Sequence, residues 1–334
     1  MKKLFAVLSA ALLLASCGTP AGDEQTQEGQ DETKVQVYTT VYPLTYFTER
    51  IGAEHVEVQS VYPAGANEHS FEPTQQDMIK LAEADLMFYV GLGLEGFIDK
   101  TKDTLKDEKV QFIATSDSIT DEELDAAAGP YEDKHEEEGH EEEAHEEEVT
   151  EEEGHESHDH GATDPHVWMS PVLSQKLAES IKDSLVEQDP DHAEDYESNY
   201  SALVAELEEL DRSFVALSER VNKKTFFISH SAFGYISEPY GFEQIAVAGL
   251  NSQDEPSQKE LTEIVDLAKK EGIQYIVFEQ NVSSNLTEVI QKEVGAEAIE
   301  MHNLGVLTQE NIDNEETYFT LMEKNLQTLE TILK

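Results

Sequence analysis

Apolar residues fall into two repeating arrangements along this chain. Short continuous runs alternate with longer segments in which apolar positions recur every three or four residues. In a first block the runs lie at 35–40, 56–62, 86–90 and 111–114, with helix-like segments at 44–51, 74–84 and 96–105 between them. In a second block the runs lie at 225–228, 244–248, 275–278 and 298–301, and helix-like segments at 256–271, 285–294 and 315–333 separate or follow them. Unbroken apolar strands alternating with helices predict mostly parallel sheets covered on both faces. The expected fold is therefore α/β, with two lobes that each carry a mostly parallel four-stranded sheet.

The blocks are joined by two predicted helices. Ser170-Pro171 supplies a capping hydroxyl and a proline at the first helical position, so a helix is expected from there to about Gln188. Asp189-Pro190 restarts a longer one, whose apolar residues are Tyr196, Tyr200, Leu203, Leu207, Leu210, Phe214, Leu217 and Val221. Their spacing alternates four and three, which makes one face apolar for about seven turns. A coiled-coil seam has the same stripe. The favoured reading is one long, rigid helix packed along both lobes, which would restrict hinge motion. The domain plan is then a first lobe at 35–188, a connecting helix at 189–222 and a second lobe at 223–334.

The N-terminal residues point to export. Lys2 and Lys3 precede an apolar run at 4–15, too short to span a membrane comfortably but right for a signal peptide. The run ends in Leu14-Ala15-Ser16-Cys17, which resembles a bacterial lipoprotein box. Residues 1–16 are read as the signal peptide, Cys17 as the lipidated residue, and 17–34 as a polar, flexible tether. Cys17 is the only cysteine in the sequence, so no intrachain disulfide is possible, and lipidation accounts for an unpaired thiol in an exported protein. The formal net charge of −50 argues against nucleic acid or an anionic membrane surface as a partner. The expected location is extracytoplasmic, tethered to the bacterial cell membrane by lipid, and the expected state is a monomer.

One stretch has no apolar periodicity. Residues 131–163 hold sixteen Asp or Glu and six histidines: His135, His140, His145, His155, His158 and His160. Within the first lobe, about 129–163 is therefore read as an inserted, disordered His- and Glu-rich loop.

Ligand-type side chains gather where predicted strands end, which is where open α/β sheets bind ligands. His69 closes the turn after the second run, and His166 stands just before the helix start at Ser170. His230 follows the run 225–228, and Glu279 follows 275–278. Three imidazoles and a carboxylate form a normal tetrahedral shell for Zn²⁺ and suit the harder cations Ca²⁺ and Mg²⁺ poorly. Two of these residues come from each block, which would put one tight zinc site in the cleft between the lobes.

The segments "YPAGANEHSFEP", "DPHVWMSP", "ISHSAFGYISEPYGF" and "VFEQNVSS" resemble the signature blocks of the zinc-binding, ZnuA-like solute-binding lipoproteins of ABC metal importers (cluster 9). The similarity covers nearly all of 35–334. It implies two α/β lobes joined by one long helix, with His69, His166 and His230 as metal ligands and Glu279 as the fourth. Relatives also imply an alternative for the fourth position, Glu68, and water is a third candidate. Sister manganese-binding proteins carry a carboxylate where His230 stands, so a third imidazole favours Zn²⁺. The resemblance further implies weaker zinc sites on the loop histidines 135, 140, 145, 155, 158 and 160, which would collect zinc near the cleft; a low-affinity occupancy sensor and a solvated loop with no role are the alternatives. It implies delivery to an ABC permease driven by a separate ATPase subunit, since this chain has no P-loop pattern.

Other signals carry less. Gly91-Leu92-Gly93-Leu94-Glu95-Gly96 matches a dinucleotide fingerprint, but it follows the third strand of its block rather than the first. His140 and His145 are five apart, so they do not share a helix face as a zinc-protease HExxH pair would. His55 and His192 are read as surface residues, and His302, after a strand, as a reserve ligand. Two Asn-x-Ser/Thr patterns at Asn281 and Asn285 mean little in a bacterial lipoprotein. The leading function is capture and delivery of zinc with no chemical step. Rival readings are a manganese-binding homologue, a secreted zinc hydrolase and an adhesin on the same fold.

Overall fold

The computed structural model describes residues 34–128, 163–254, 256–280 and 284–334. The first sheet contains β1 (Val35–Thr39), β2 (Val56–Ser60), β3 (Leu86–Tyr89) and β4 (Gln111–Ala114), all parallel, in the order β2-β1-β3-β4. The second contains β5 (Thr225–His230), β6 (Glu243–Ala248), β7 (Tyr275–Glu279) and β8 (Glu297–Met301), again parallel, in the matching order β6-β5-β7-β8. All four residues of β3 are buried, as a strand covered on both faces requires. Along β5, Phe226 and Ile228 join the main core while Phe227 joins a smaller core on the other face, the alternation a pleated strand imposes.

The helices are α1 (Tyr42–Gly52), α2 (Gln75–Glu83), α3 (Ile98–Leu105), α4 (Asp121–Ala128), α5 (Pro171–Gln188), α6 (Ala193–Arg220), α7 (Gln258–Glu271), α8 (Asn285–Val294), α9 (Gln309–Asp313) and α10 (Tyr318–Ile332). Ser170 caps α5 as its sequence predicts, its Oγ accepting from the Leu173 amide at 3.2 Å. On α6, Tyr196, Leu203, Leu207, Leu210, Phe214 and Leu217 are buried, while Tyr200 is only partly so. That face packs against α5, α1 and α10 of the same chain, so the stripe is an internal seam. Each fully buried Leu or Phe on it contributes about 1.5–3 kcal/mol.

Three elements differ from the pattern expected. The helix expected over 315–333 is α10, which begins three residues later because Glu315 adopts a left-handed backbone (φ 55°) and Thr317 opens the helix through reciprocal bonds with Thr320; the short α9 before it was not expected. Helix α4 was not expected. Thr120 and Glu123 build its entry: the Thr120 amide donates to Glu123 Oε2 at 2.9 Å and the Glu123 amide to Thr120 Oγ1 at 3.3 Å.

The main core is continuous. It runs from the first sheet through α5 and α6 to Phe226, Ile228, Val277 and Tyr318. Further bonds tie the lobes beside the cleft. Tyr318 Oη donates to the Trp168 carbonyl at 2.9 Å, Tyr235 Oη to the Asp164 carbonyl at 2.9 Å, and the Tyr42 amide to the Gly305 carbonyl at 2.9 Å.

Candidate metal centre

The second sheet reverses its strand order between β5 and β7, which are neighbours at its centre. Such a switch point opens a crevice at the C-terminal strand ends. His230 is the last residue of β5 and Glu279 the last of β7. The first lobe contributes its groups from turns. His69 sits after β2, its amide held by Asn67 Oδ1 at 3.0 Å. His166 precedes the short 3₁₀ turn Val167–Met169 that leads into α5.

The three imidazoles converge. Ring centroids are 5.3 Å apart for His69–His166, 5.3 Å for His69–His230 and 5.0 Å for His166–His230. One nitrogen from each ring lies within 4.8 Å of the others, and among the described residues no other group of three or more metal-type side chains does this. Imidazoles that share one tetrahedral zinc at about 2.0–2.1 Å have their ring centres roughly 5 Å apart, so this spacing fits a single ion.

His166 is oriented by Asp164. One carboxylate oxygen, Oδ1, accepts both the His166 amide at 2.9 Å and its ring Nδ1 at 2.7 Å. The proton is thereby placed on Nδ1, and Nε2 is left with its lone pair. The Nε2 atoms of His166 and His69 are both buried without a hydrogen-bond partner. Native structures rarely leave buried polar atoms unpaired, and a ligated cation is one of the few arrangements that would satisfy two facing lone pairs.

The third ring differs electrically. Burial, followed by His166 and His230 nearby, holds His69 down to about 3, so it is neutral and able to ligate. Burial pushes His230 the same way, but the Glu279 carboxylate outweighs it and raises the ring to about 9. The geometry agrees. His230 Nδ1 meets Glu279 Oε2 at 3.1 Å and its Nε2 meets the Leu250 carbonyl at 2.9 Å, so both nitrogens face acceptors.

Glu279 is 4% exposed. Its Oε1 accepts from Ser229 Oγ at 3.0 Å, and its Oε2 accepts from His230 and from Asn303 Nδ2 at 3.1 Å. Glu68 is also buried, its Oε1 accepting from Asn303 Nδ2 at 2.9 Å. Burial raises the Glu68 carboxyl above its ordinary range, against the pull of its own amide and of His166 and His230. Neither carboxylate belongs to the mutually close set formed by the three histidines.

The other histidines are placed elsewhere. His302, the expected reserve ligand, is buried and uses both ring nitrogens: Nδ1 accepts from the Leu304 amide at 2.8 Å, so Nε2 donates to Asn311 Oδ1 at 3.1 Å. Burial holds it down to about 4. His55 and His192 are not simply exposed. They stack on each other at 3.8 Å, partly buried, with His55 Nε2 3.2 Å from Asp195 and His192 Nδ1 2.6 Å from Asp189. The glycine turn at Gly91 carries no free phosphate cradle. Gly91 itself has φ 94°, and Glu95 already accepts the amides of Val90 at 2.8 Å and Gly91 at 3.1 Å. Cys17 and the histidines at 135, 140, 145, 155, 158 and 160 lie outside the described residues.

Sequence reasoning missed Asp164, Asn303 and the Leu250 carbonyl. Asp164 had a local signal, an acidic residue two positions before a candidate ligand. Asn303 follows the end of β8, a position at which attention fell on His302 instead.

The chain is similar to proteins of one family. The zinc-binding lipoprotein AdcA of Streptococcus pneumoniae (strain R6) is 34% identical over 332 residues, covering 98% of this chain and 60% of that protein. The chain thus spans about 60% of the length of that relative. The high-affinity zinc uptake system protein ZnuA of Bacillus subtilis (strain 168) is 33% identical, with 99% of this chain and 97% of that protein covered. The crystal structure of the Zn(II)-bound ZnuA-like domain of S. pneumoniae AdcA superposes with a TM-score of 0.70 at 30% identity, covering 90% of this chain and 99% of that one. Residues 37–332 match the family described as zinc-uptake complex component A, periplasmic, and the chain belongs to that family.

Proposed function

We propose that this protein captures Zn²⁺ outside the cytoplasm through His69, His166 and His230 and delivers it to the permease of an ABC importer, which a separate ATPase subunit drives. The observation that carries the reading is the near-equilateral triangle of imidazoles with two bare, buried Nε2 atoms. The relatives named for zinc binding and zinc uptake support the choice of cargo. Glu279 completes the shell in this reading. Its Oε2 is 3.1 Å from His230 Nδ1, close to the roughly 3.3 Å edge of a zinc tetrahedron, so the ion takes the place of the shared proton. A shell closed by four protein groups leaves no position for the activated water a zinc hydrolase needs. Glu68 and water are the alternatives for that fourth place. Cys17 anchors the chain by lipid, and the loop histidines 135, 140, 145, 155, 158 and 160 supply weaker sites that raise zinc concentration near the cleft.

Calorimetry on a His230→Ala variant tests the site. Zinc affinity should fall by at least about 100-fold, beyond the 10–100-fold that loss of an orienting partner costs, while the variant still folds. Wild-type affinity in the folded variant would reject the site.

A further inference from the structure

Glu68 and Glu279 approach the metal centre from opposite lobes, and one side chain holds both. Asn303 lies just beyond β8 and is 3% exposed. Its Nδ2 donates to Glu68 Oε1 at 2.9 Å and to Glu279 Oε2 at 3.1 Å. Its Oδ1 accepts from the Gly305 amide at 2.9 Å. Only the amide oxygen can accept that N–H, so the backbone fixes which way the side chain points. The two hydrogens of Nδ2 are then allotted one to each carboxylate.

The loop carrying Asn303 is firmly held. The Asn303 carbonyl accepts from Trp168 Nε1 at 2.7 Å, and the flanking His302 amide donates to Asn325 Oδ1 at 2.9 Å. Glycine at 305 lets the loop come this close: a Cβ there would stand 2.6 Å from Glu68 Oε1. The fork of Asn303 is therefore presented at a set position.

We propose that Asn303 is a positioning residue that sets the metal preference of the site. One N–H aims Glu279 at the ion, and the other tethers Glu68 away from it. The proposal rests on the three-histidine zinc reading above. Three imidazoles and one carboxylate suit a four-coordinate Zn²⁺. A second carboxylate would add a fifth ligand and another hard oxygen, a change that favours Mn²⁺. Without its tether, the hydrogen-bond partner left to the Glu68 carboxyl among the described residues is its own backbone amide, and the carboxylate would be drawn to the nearby cation.

The test uses the full chain with Asn303→Ala and Asn303→Asp. The aspartate retains the acceptor for Gly305 and the side-chain shape, but loses both N–H groups. Zn²⁺ and Mn²⁺ affinities are measured by competition, and the visible spectrum of the Co²⁺-loaded protein reports coordination number. The zinc-over-manganese ratio should fall by about tenfold or more, the lower end of what losing an orienting partner costs. The Co²⁺ bands should weaken from the intense four-coordinate pattern toward that of a higher coordination number. Adding Glu68→Gln to Asn303→Asp should restore both ratio and spectrum, because the extra carboxylate is gone, and simple repair of the loop would not do so. An unchanged ratio and spectrum in either folded variant, failure of Glu68→Gln to restore them, or loss of folding in both variants would each overturn the proposal. Failure of the underlying zinc reading shows separately, as wild-type zinc affinity in His230→Ala.

Discussion

If His230 ligates zinc as proposed, the ion must displace a proton from it at neutral pH. His230 is held up to about 9 by Glu279 against the opposing effect of burial, and both its nitrogens face acceptors. Only the neutral ring can ligate. At pH 7 a group that titrates near 9 is neutral about 1% of the time, which costs zinc binding about 2.7 kcal/mol at 1.36 kcal/mol per unit. Affinity should therefore rise about tenfold per pH unit, or about 100-fold from pH 6.5 to 8.5, and level off near 9. His69, held down to about 3, has no proton to lose in that window. The assay is competition with a chromophoric chelator across that range, together with calorimetry at pH 7.5 in two buffers of different ionisation enthalpy. About one proton should leave per zinc bound at that pH. Glu279→Gln supplies the control. Without the carboxylate, burial is opposed only by the Leu250 carbonyl and Glu68, so the ring gives up its proton at lower pH and the slope should flatten whatever happens to the absolute affinity. The sole tryptophan, Trp168, lies 5.3 Å from the His166 ring, so its fluorescence offers a second readout. A flat affinity from pH 6.5 to 8.5, or no proton release at pH 7.5, would refute the reasoning.

Three other outcomes are expected. Asp164→Asn removes the carboxylate that orients His166 and should weaken zinc binding about 10–100-fold by calorimetry; an unchanged affinity would show that the 2.7 Å contact does nothing for the ligand. His302 is held at about 4 when folded against an unfolded value near 6.5, so as pH falls below 6.5 the unfolded chain takes up the proton first. The zinc-free protein should lose about 1.4 kcal/mol per pH unit relative to His302→Gln until about pH 4, read by urea unfolding, and parallel pH profiles would refute this. Deleting 131–163 should leave one tight zinc site and remove several weaker ones, and loss of the tight site on equilibrium dialysis would show that the cleft histidines are not the primary ligands.

Much of the scaffold could be read before any coordinates. The strands were legible because buried parallel strands are continuous apolar runs, and the start of α5 because Ser170-Pro171 states it outright. The short α9 and the exact start of α10 were not, because neither is marked by apolar periodicity. What sets the start of α10 is a backbone conformation at Glu315 and a hydroxyl pair at Thr317 and Thr320. Candidate ligands stood out where strand ends met ligand-type residues, and the structure brings His69, His166 and His230 together. The groups that hold those ligands in place were hidden for a different reason. Asn303 meets Glu68 across 235 positions of sequence, and no local pattern encodes such a contact. An asparagine in a loop has many ordinary roles, and only the packed fold reveals that its amide is shared by two buried carboxylates.

The construction of the site bears on how an ion gets in. A hinged clamp would need a weak junction between the lobes, and this chain has a strong one. The buried core is continuous through both, α6 and α10 lie across them, and Trp168, Tyr235 and Tyr318 tie first-lobe backbone or side chains to the second. Separating the lobes would expose several fully buried aromatics, at about 1.5–3 kcal/mol each. Movement is cheaper in the turns. His166 and His230 are fully buried, one locked to Asp164 and the other at the end of a central strand, whereas His69 is partly exposed and sits in a turn. That turn is bridged to the opposite lobe by a bond from Asn67 Nδ2 to Ser252 Oγ at 3.0 Å. A partly exposed hydrogen bond of this kind is worth only about 0.5–1.5 kcal/mol. Local opening of that turn is therefore the least costly way to uncover the site, and it leaves the two buried imidazoles in place.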